Sequence, residues 1–375
     1  MLPPVTAIPT ERGRQWPAFD GLRAIAVLAV VVFHANYPSF IHGGYVGVDV
    51  FFVLSGFLIT WLLTTEHDSL QGIAYGKFYA RRALRLFPAL AALIVVSILL
   101  VTIDGGLVVY RHETLVGLPW VLFYLGNWPI AWGNSLTLGL LAVTWTLAIE
   151  EQYYLLWPLG LNKLLARVDR RRIAAGLMIA AVLEELVRFV MGLSNDLAVN
   201  LWADKATVTH SDGLLVGSAL ALMWTTRATW KLWPIIERRA NELGLVGAAL
   251  VGASILLGTP NLHTTYVWVT VAVYGTLLLV TSLVARPTSW ISLILALAPL
   301  QWIGRRSYGM YIWHFPIIVV VLNLNLPATH LHFTRFAIEI VAIFVVTALS
   351  YQVIEQPFLR RKIRFSRIPE ETSTP

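Results

Sequence analysis

Apolar runs of about 17 to 22 residues recur along this chain, each long enough as a helix to cross a hydrocarbon core of ~30 Å. Hydrophobic residues make up 57% and charged residues 13%, against about 25% charged in an average soluble protein. A transmembrane barrel needs short alternating segments, and these are absent. The sequence therefore predicts an all-α, polytopic membrane helical bundle. The 15 Trp and 13 Tyr fit interfacial belts as well as core packing.

Cysteine is absent, which excludes disulfides, Fe–S clusters, thiolate zinc sites and a covalent cysteine intermediate; no metal is expected. The net charge of +7 reads as positive-inside anchoring, because the Lys and Arg lie in short loops, and no nucleic-acid partner is expected. The leader MLPPVTAIPTERGRQWP is Pro-rich and polar, and the apolar run after it is too long for a signal-peptide core.

Basic clusters orient the spans. Arg12 and Arg14 place the N-terminus in the cytoplasm. Ten spans follow, at about 19–36, 46–64, 84–103, 143–162, 173–192, 207–225, 242–258, 265–285, 307–325 and 335–355. They return both termini to the cytoplasm, with Arg360, Arg361, Lys362, Arg364 and Arg367 in the tail. The basic loop 163–172 stays inside only if 115–133, broken by Pro119, Asn127 and Pro129, does not cross. That segment is expected to be re-entrant or to lie on the outer surface, lining a cavity. Residues 288–303 are expected as an inner-surface helix. The division is a cytoplasmic leader (1–18), a transmembrane domain (19–357) and a basic cytoplasmic tail (358–375), in a multi-pass plasma-membrane protein.

The polar residues inside the spans carry the chemistry, because a buried ionisable group costs several kcal/mol unless paired or hydrated. Arg23 and His34 stand eleven positions apart in FDGLRAIAVLAVVVFHANYP. Eleven helical steps of ~100° bring both side chains to one face, about 16 Å apart along the axis. Arg23 lies at the inner end, His34 near the outer end. Asp49, about three residues into the next span, matches His34 in depth, and an imidazole oriented by a carboxylate is a general base near neutral pH. Glu150 and Glu151 point about 100° apart, so at most one faces His34, and one could pair with Arg188.

Arg23 can pair locally with Asp20 or clamp an anionic cytoplasmic ligand. Lys77, Arg81 and Arg85 repeat every four residues as one basic stripe, with Arg82 beside it, and guanidinium forks suit phosphate. Structural roles are expected for His314, for Glu355 paired with the Arg81–Arg85 cluster, and for Ser55 and Gly56 as small residues in helix packing. Asp212 opens its span near the outer end.

Taken together, FDGLRAIAVLAVVVFH, GVDVFFVLSGFLI, KFYARRALRLFP, WTLAIEEQYYLLWP, DGLLVG, SYGMYIWHFP and IEQP, in that order, resemble the membrane acyltransferase-3 family, whose members O-acylate glycans, lipids and macrolides. The resemblance covers Phe19 to Pro357. It implies an acyl-CoA donor in the cytoplasm, acetyl-CoA foremost, and a hydroxyl acceptor reached from the outer side or the bilayer: a glycan, glycolipid or macrolide. His34 matches the family's catalytic histidine, and Arg23 the arginine of its arginine–ten–histidine signature. Arg82 and Arg85 match basic positions of the first cytoplasmic loop, and Glu150 the acidic position after Trp-Thr-Leu. Many relatives carry a further span and an extracytoplasmic hydrolase-like domain, which this sequence is expected to lack, leaving a separate downstream transferase open.

The mechanism so implied places the phosphates of coenzyme A on Arg23, Lys77, Arg81, Arg82 and Arg85, and the thioester near His34. His34, oriented by Asp49 or Glu150, takes the acceptor's proton. A covalent acyl-histidine relay is the alternative. The rivals are a secondary transporter or lipid exporter, which buried charges also fit but for which no inverted repeat is visible, and a sensor or scaffold.

Overall fold

The computed structural model describes residues 16–133, 138–261, 263–324 and 331–361. Of the described residues 84% are helical, and none lies in a strand. The expectations on Arg12, Arg14, Lys362, Arg364 and Arg367 lie outside them.

The helices run in the order the apolar pattern predicts. The first three are α1 (Pro17–Ala35), α2 (Gly47–Leu70) and α3 (Tyr75–Ile103). Two short pieces follow, α4 (Arg111–Leu122) and α5 (Asn127–Ala131), then the long α6 (Trp145–Leu165) and α7 (Arg170–Gly192). The short α8 (Leu197–Lys205) leads into α9 (Asp212–Thr225), and α10 (Trp233–Arg238) into α11 (Ala240–Leu257) and α12 (Thr265–Ala285). Then come α13 (Trp290–Leu295), α14 (Ala298–Arg305), α15 (Ser307–Leu322) and α16 (Leu331–Ser350). A π-turn at Tyr351–Glu355 and α17 (Gln356–Arg361) end the described chain.

Six described helices are long and apolar enough to cross a membrane: α1, α2 with its preceding turn, α3, α11, α12, and the run from α16 through α17. The other four expected spans are helical but fall short of that standard. α9 and α15 are apolar but have only 14 and 16 residues. α6 carries Glu150 and Glu151, and α7 carries Arg170, Arg171, Arg172, Glu184, Glu185 and Arg188.

Small residues set the crossings. A Cβ on Gly56 would lie 2.1 Å from the Leu214 carbonyl oxygen, and one on Gly217 2.1 Å from that of Val53, so α2 and α9 touch backbone to backbone. α1 is equally tight against 288–305: a Cβ on Gly304 would lie 1.8 Å from the Asp20 carbonyl oxygen. That stretch, expected as one inner-surface helix, is two short helices parted at Ala296–Leu297 and seated on α1.

The segment 115–133 is broken as expected, but at 123–126: Pro119 lies inside α4, and Asn127 and Pro129 inside α5. α4 has 12 residues, about 18 Å, and ends before Tyr124, whose φ is +53°. It does not line either cavity described below, contrary to expectation. It is braced by side chains instead: Gln152 Nε2 donates to Tyr124 O and Asn127 Oδ1 (2.8 and 2.9 Å), and Asn127 Nδ2 to Lys205 O and Thr207 Oγ1 (both 3.0 Å). These bonds brace the break although Phe123 (75%) and Leu125 (37%) stay exposed.

Candidate active site

α1 carries both signature residues, and its single helix puts them at the two ends of one face. They open into two different cavities. The expected single path from Arg23 to His34 is divided by Val48 and Tyr311, which line both. Tyr311 is fixed there, its hydroxyl 2.7 Å from Thr146 Oγ1 and donating to Val143 O at 3.0 Å.

The first cavity, about 280 Å³, is lined by Arg23, by Arg81, Arg82 and Arg85 of α3, by Ser55 of α2, and by Glu150 and Tyr154 of α6. Four guanidinium groups thus face one lining carboxylate. Arg23 reaches Asp20 at 3.8 Å, so the local pair and the cavity position coexist. Arg81 meets Glu66 at 3.4 Å, and the Arg82 guanidinium lies 3.8 Å from the Tyr154 ring centroid. Glu150 accepts from the hydroxyls of Ser55 and Tyr154. Lys77, in the first turn of α3, is not among the lining residues; the basic stripe enters the cavity only from Arg81 onward. Glu355 accepts from Ser350 at 3.5 Å and has Arg85 and Arg306 as charged neighbours.

The second cavity, about 620 Å³, is lined by His34, Asp49, Trp145, Arg188, Asp204, Lys205 and His210, among others. His34 Nδ1 lies 2.9 Å from Val30 O and 3.3 Å from Nε2 of His314. His314 in turn directs its Nδ1 to Tyr311 O. His34 Nε2 has no hydrogen bond among the described residues.

Neither carboxylate expected to orient His34 does so. Asp49 Oδ1 lies 2.9 Å from His210 Nε2, and the other nitrogen of His210 is bonded to Asp204 O. Glu150 belongs to the arginine cavity. Depth matched Asp49 to His34, but the rotation of α2, set by its contact with α9, turns Asp49 toward the loop before α9. Arg188 pairs with Asp212 through two bonds of 2.8 Å, not with Glu150 or Glu151. Lys205 meets Asp204 at 2.6 Å and lies 3.8 Å over the Trp145 ring.

Sequence reasoning missed His314 as the neighbour of His34, and Ser55 as a cavity residue; of Ser55 and Gly56, it is Gly56 that makes the close backbone crossing. The signal for His314 was present in SYGMYIWHFP, a histidine close to mid-span among apolar and aromatic residues, but not its partner.

The acyltransferase domain family matches residues 16–354 of this chain. The chain belongs to this family. It is 34% identical to a peptidoglycan O-acetyltransferase OatA of Listeria monocytogenes over 91% of its own length and 55% of that protein. It is 31% identical to an O-acetyltransferase OatA of Staphylococcus aureus (96% and 60%). With a putative peptidoglycan O-acetyltransferase YrhL of Bacillus subtilis it shares 29% identity (96% and 57%). The chain therefore spans under two thirds of the length of these relatives. No solved structure matches it.

Proposed function

We propose that this chain is a membrane O-acyltransferase that moves an acetyl group from acetyl-CoA, held by the arginine cavity, to an acceptor hydroxyl at His34. The observation that carries the reading is the placement of His34. Its Nδ1 faces the carbonyl oxygen of Val30 at 2.9 Å. A carbonyl only accepts, so Nδ1 carries the proton and the lone pair lies on Nε2, toward the outer cavity. Behind the Val48–Tyr311 wall lie four arginines with a single lining carboxylate, the donor set that suits the phosphates of coenzyme A. Arg23, Arg81, Arg82 and Arg85 bind them from the cytoplasmic side. The eleven-residue offset of α1, about 16 Å, is the span that the pantetheine arm covers past Tyr311.

His34 Nε2 takes the proton of the acceptor hydroxyl as its oxygen bonds to the thioester carbonyl carbon. The C–S bond then breaks, and the proton passes to the departing coenzyme A thiolate. The relatives' names as peptidoglycan O-acetyltransferases support a glycan hydroxyl as the acceptor.

The test uses the purified full chain in lipid, labelled acetyl-CoA, and soluble peptidoglycan fragments as the acceptor probe. His34→Gln is expected to bind acetyl-CoA with unchanged affinity and to transfer none. Arg82→Ala is expected to raise KM for acetyl-CoA about tenfold or more, the loss of one charge-assisted contact. Normal turnover by His34→Gln would overturn the proposal.

A further inference from the structure

We propose that His314 is a positioning residue, which holds His34 in its Nδ1–H tautomer and steadies it as a cation while it carries the acceptor's proton; this rests on the reading of His34 as the base. The argument is a chain of donors and acceptors across two helices. His314 is fully buried in α15. Its Nδ1 is bonded to the Tyr311 carbonyl oxygen, which can only accept, so that nitrogen holds the ring's proton. The neutral ring then presents a lone pair on Nε2, which lies 3.3 Å from Nδ1 of His34. The ring centroids are 4.9 Å apart.

His34 Nδ1 is therefore met by two acceptors, Val30 O from its own helix and His314 Nε2 from α15. Moving its proton to Nε2 would set its lone pair against both and remove the free lone pair from the outer cavity. When Nε2 takes up a proton, the Nδ1–H becomes a charged donor, and a hydrogen bond to it strengthens. Asp49 does not serve in this way: its Oδ1 is bonded to His210, and among the described residues it makes no bond to His34. A neutral imidazole thus occupies the place where a carboxylate orients the base in a serine hydrolase triad.

The test is 15N NMR of the full chain in lipid with labelled histidine, the His34 signals being those lost in His34→Gln. The wild type is expected to show a protonated Nδ1 and a bare Nε2 at His34. His314→Phe, which leaves the Val30 carbonyl in place, is expected to add an Nε2–H population beside the Nδ1–H form, and His314→Gln, whose side-chain oxygen can accept, to keep the Nδ1–H form alone. In transfer assays with acetyl-CoA and soluble peptidoglycan fragments, His314→Phe is expected to lower kcat by about 10²-fold with KM for acetyl-CoA unchanged, and His314→Gln to recover most of it. An Nε2–H tautomer in the wild type would overturn the proposal, whatever the variants do. So would an unchanged tautomer in a folded His314→Phe. The spectra do not depend on turnover, so a wild type that shows the expected tautomer but transfers nothing counts against His34 as base and not against His314 as its tether.

Discussion

At the residue scale the molecule sorts its buried charges into pairs and leaves a few where ligands can meet them. Arg188 is 1% and Asp212 0% exposed, joined by two short bonds. Breaking such a pair leaves one buried charge without its partner, a cost of about 3–5 kcal/mol. Asp212→Asn is expected to lose stability on that scale in thermal denaturation, whereas replacing both, Arg188→Met with Asp212→Leu, is expected to restore most of it. The arginine cavity is the contrasting case, with an excess of cations over lining carboxylates. Individual residues were legible in type and depth but not in rotation. That Arg23, Arg82 and Arg85 lie together at one end of α1 and His34 at the other was legible from spacing and motif. Asp49 could not be matched to His210, because the pairing crosses from α2 to the loop before α9, 161 positions along the chain.

At the element scale, close helix crossings depend on positions with no side chain. Gly217 has the Val53 carbonyl oxygen 2.1 Å from where its Cβ would sit, whereas Gly176 on α7 has nothing within 4 Å. Gly217→Val is therefore expected to separate α2 from α9 and abolish the folded yield, read by size-exclusion chromatography in detergent. Gly176→Ala is expected to be neutral or to stabilise by up to ~1 kcal/mol, the helix-propensity gain. The expected spans each contain a helix because apolar length and flanking arginines act locally. The division of 288–305 into α13 and α14 was not legible, since it follows from docking onto α1 at Gly21 and Gly304. The segment 115–133 was legible as broken, but not where, since Pro119 and Pro129 lie inside α4 and α5, nor as braced by Gln152 and Asn127.

At the scale of the whole molecule, two cavities meet at a wall of Val48 and Tyr311, with phosphate-suited arginines on one side and an available imidazole nitrogen on the other. That polarity predicts sidedness. The chain has no cysteine, so single cysteines report cleanly. In intact cells a membrane-impermeant maleimide is expected to label Asn195→Cys, in the loop between α7 and α8, and to reach Lys163→Cys, at the end of α6, only after permeabilisation. The reverse pattern would invert the assignment of the arginine cavity to the cytoplasmic side.

The central claim is that donor and chemistry occupy opposite sides of that wall. Its most direct measurement uses the full chain in vesicles of one orientation, fixed by those same labels. Labelled acetyl-CoA is supplied on the arginine side only and soluble peptidoglycan fragments on the His34 side only. The account predicts acetylated fragments from the wild type, none when acetyl-CoA is moved to the His34 side, and none from His34→Gln in either arrangement. Equal transfer with acetyl-CoA on the His34 side, or undiminished transfer by His34→Gln, would contradict it.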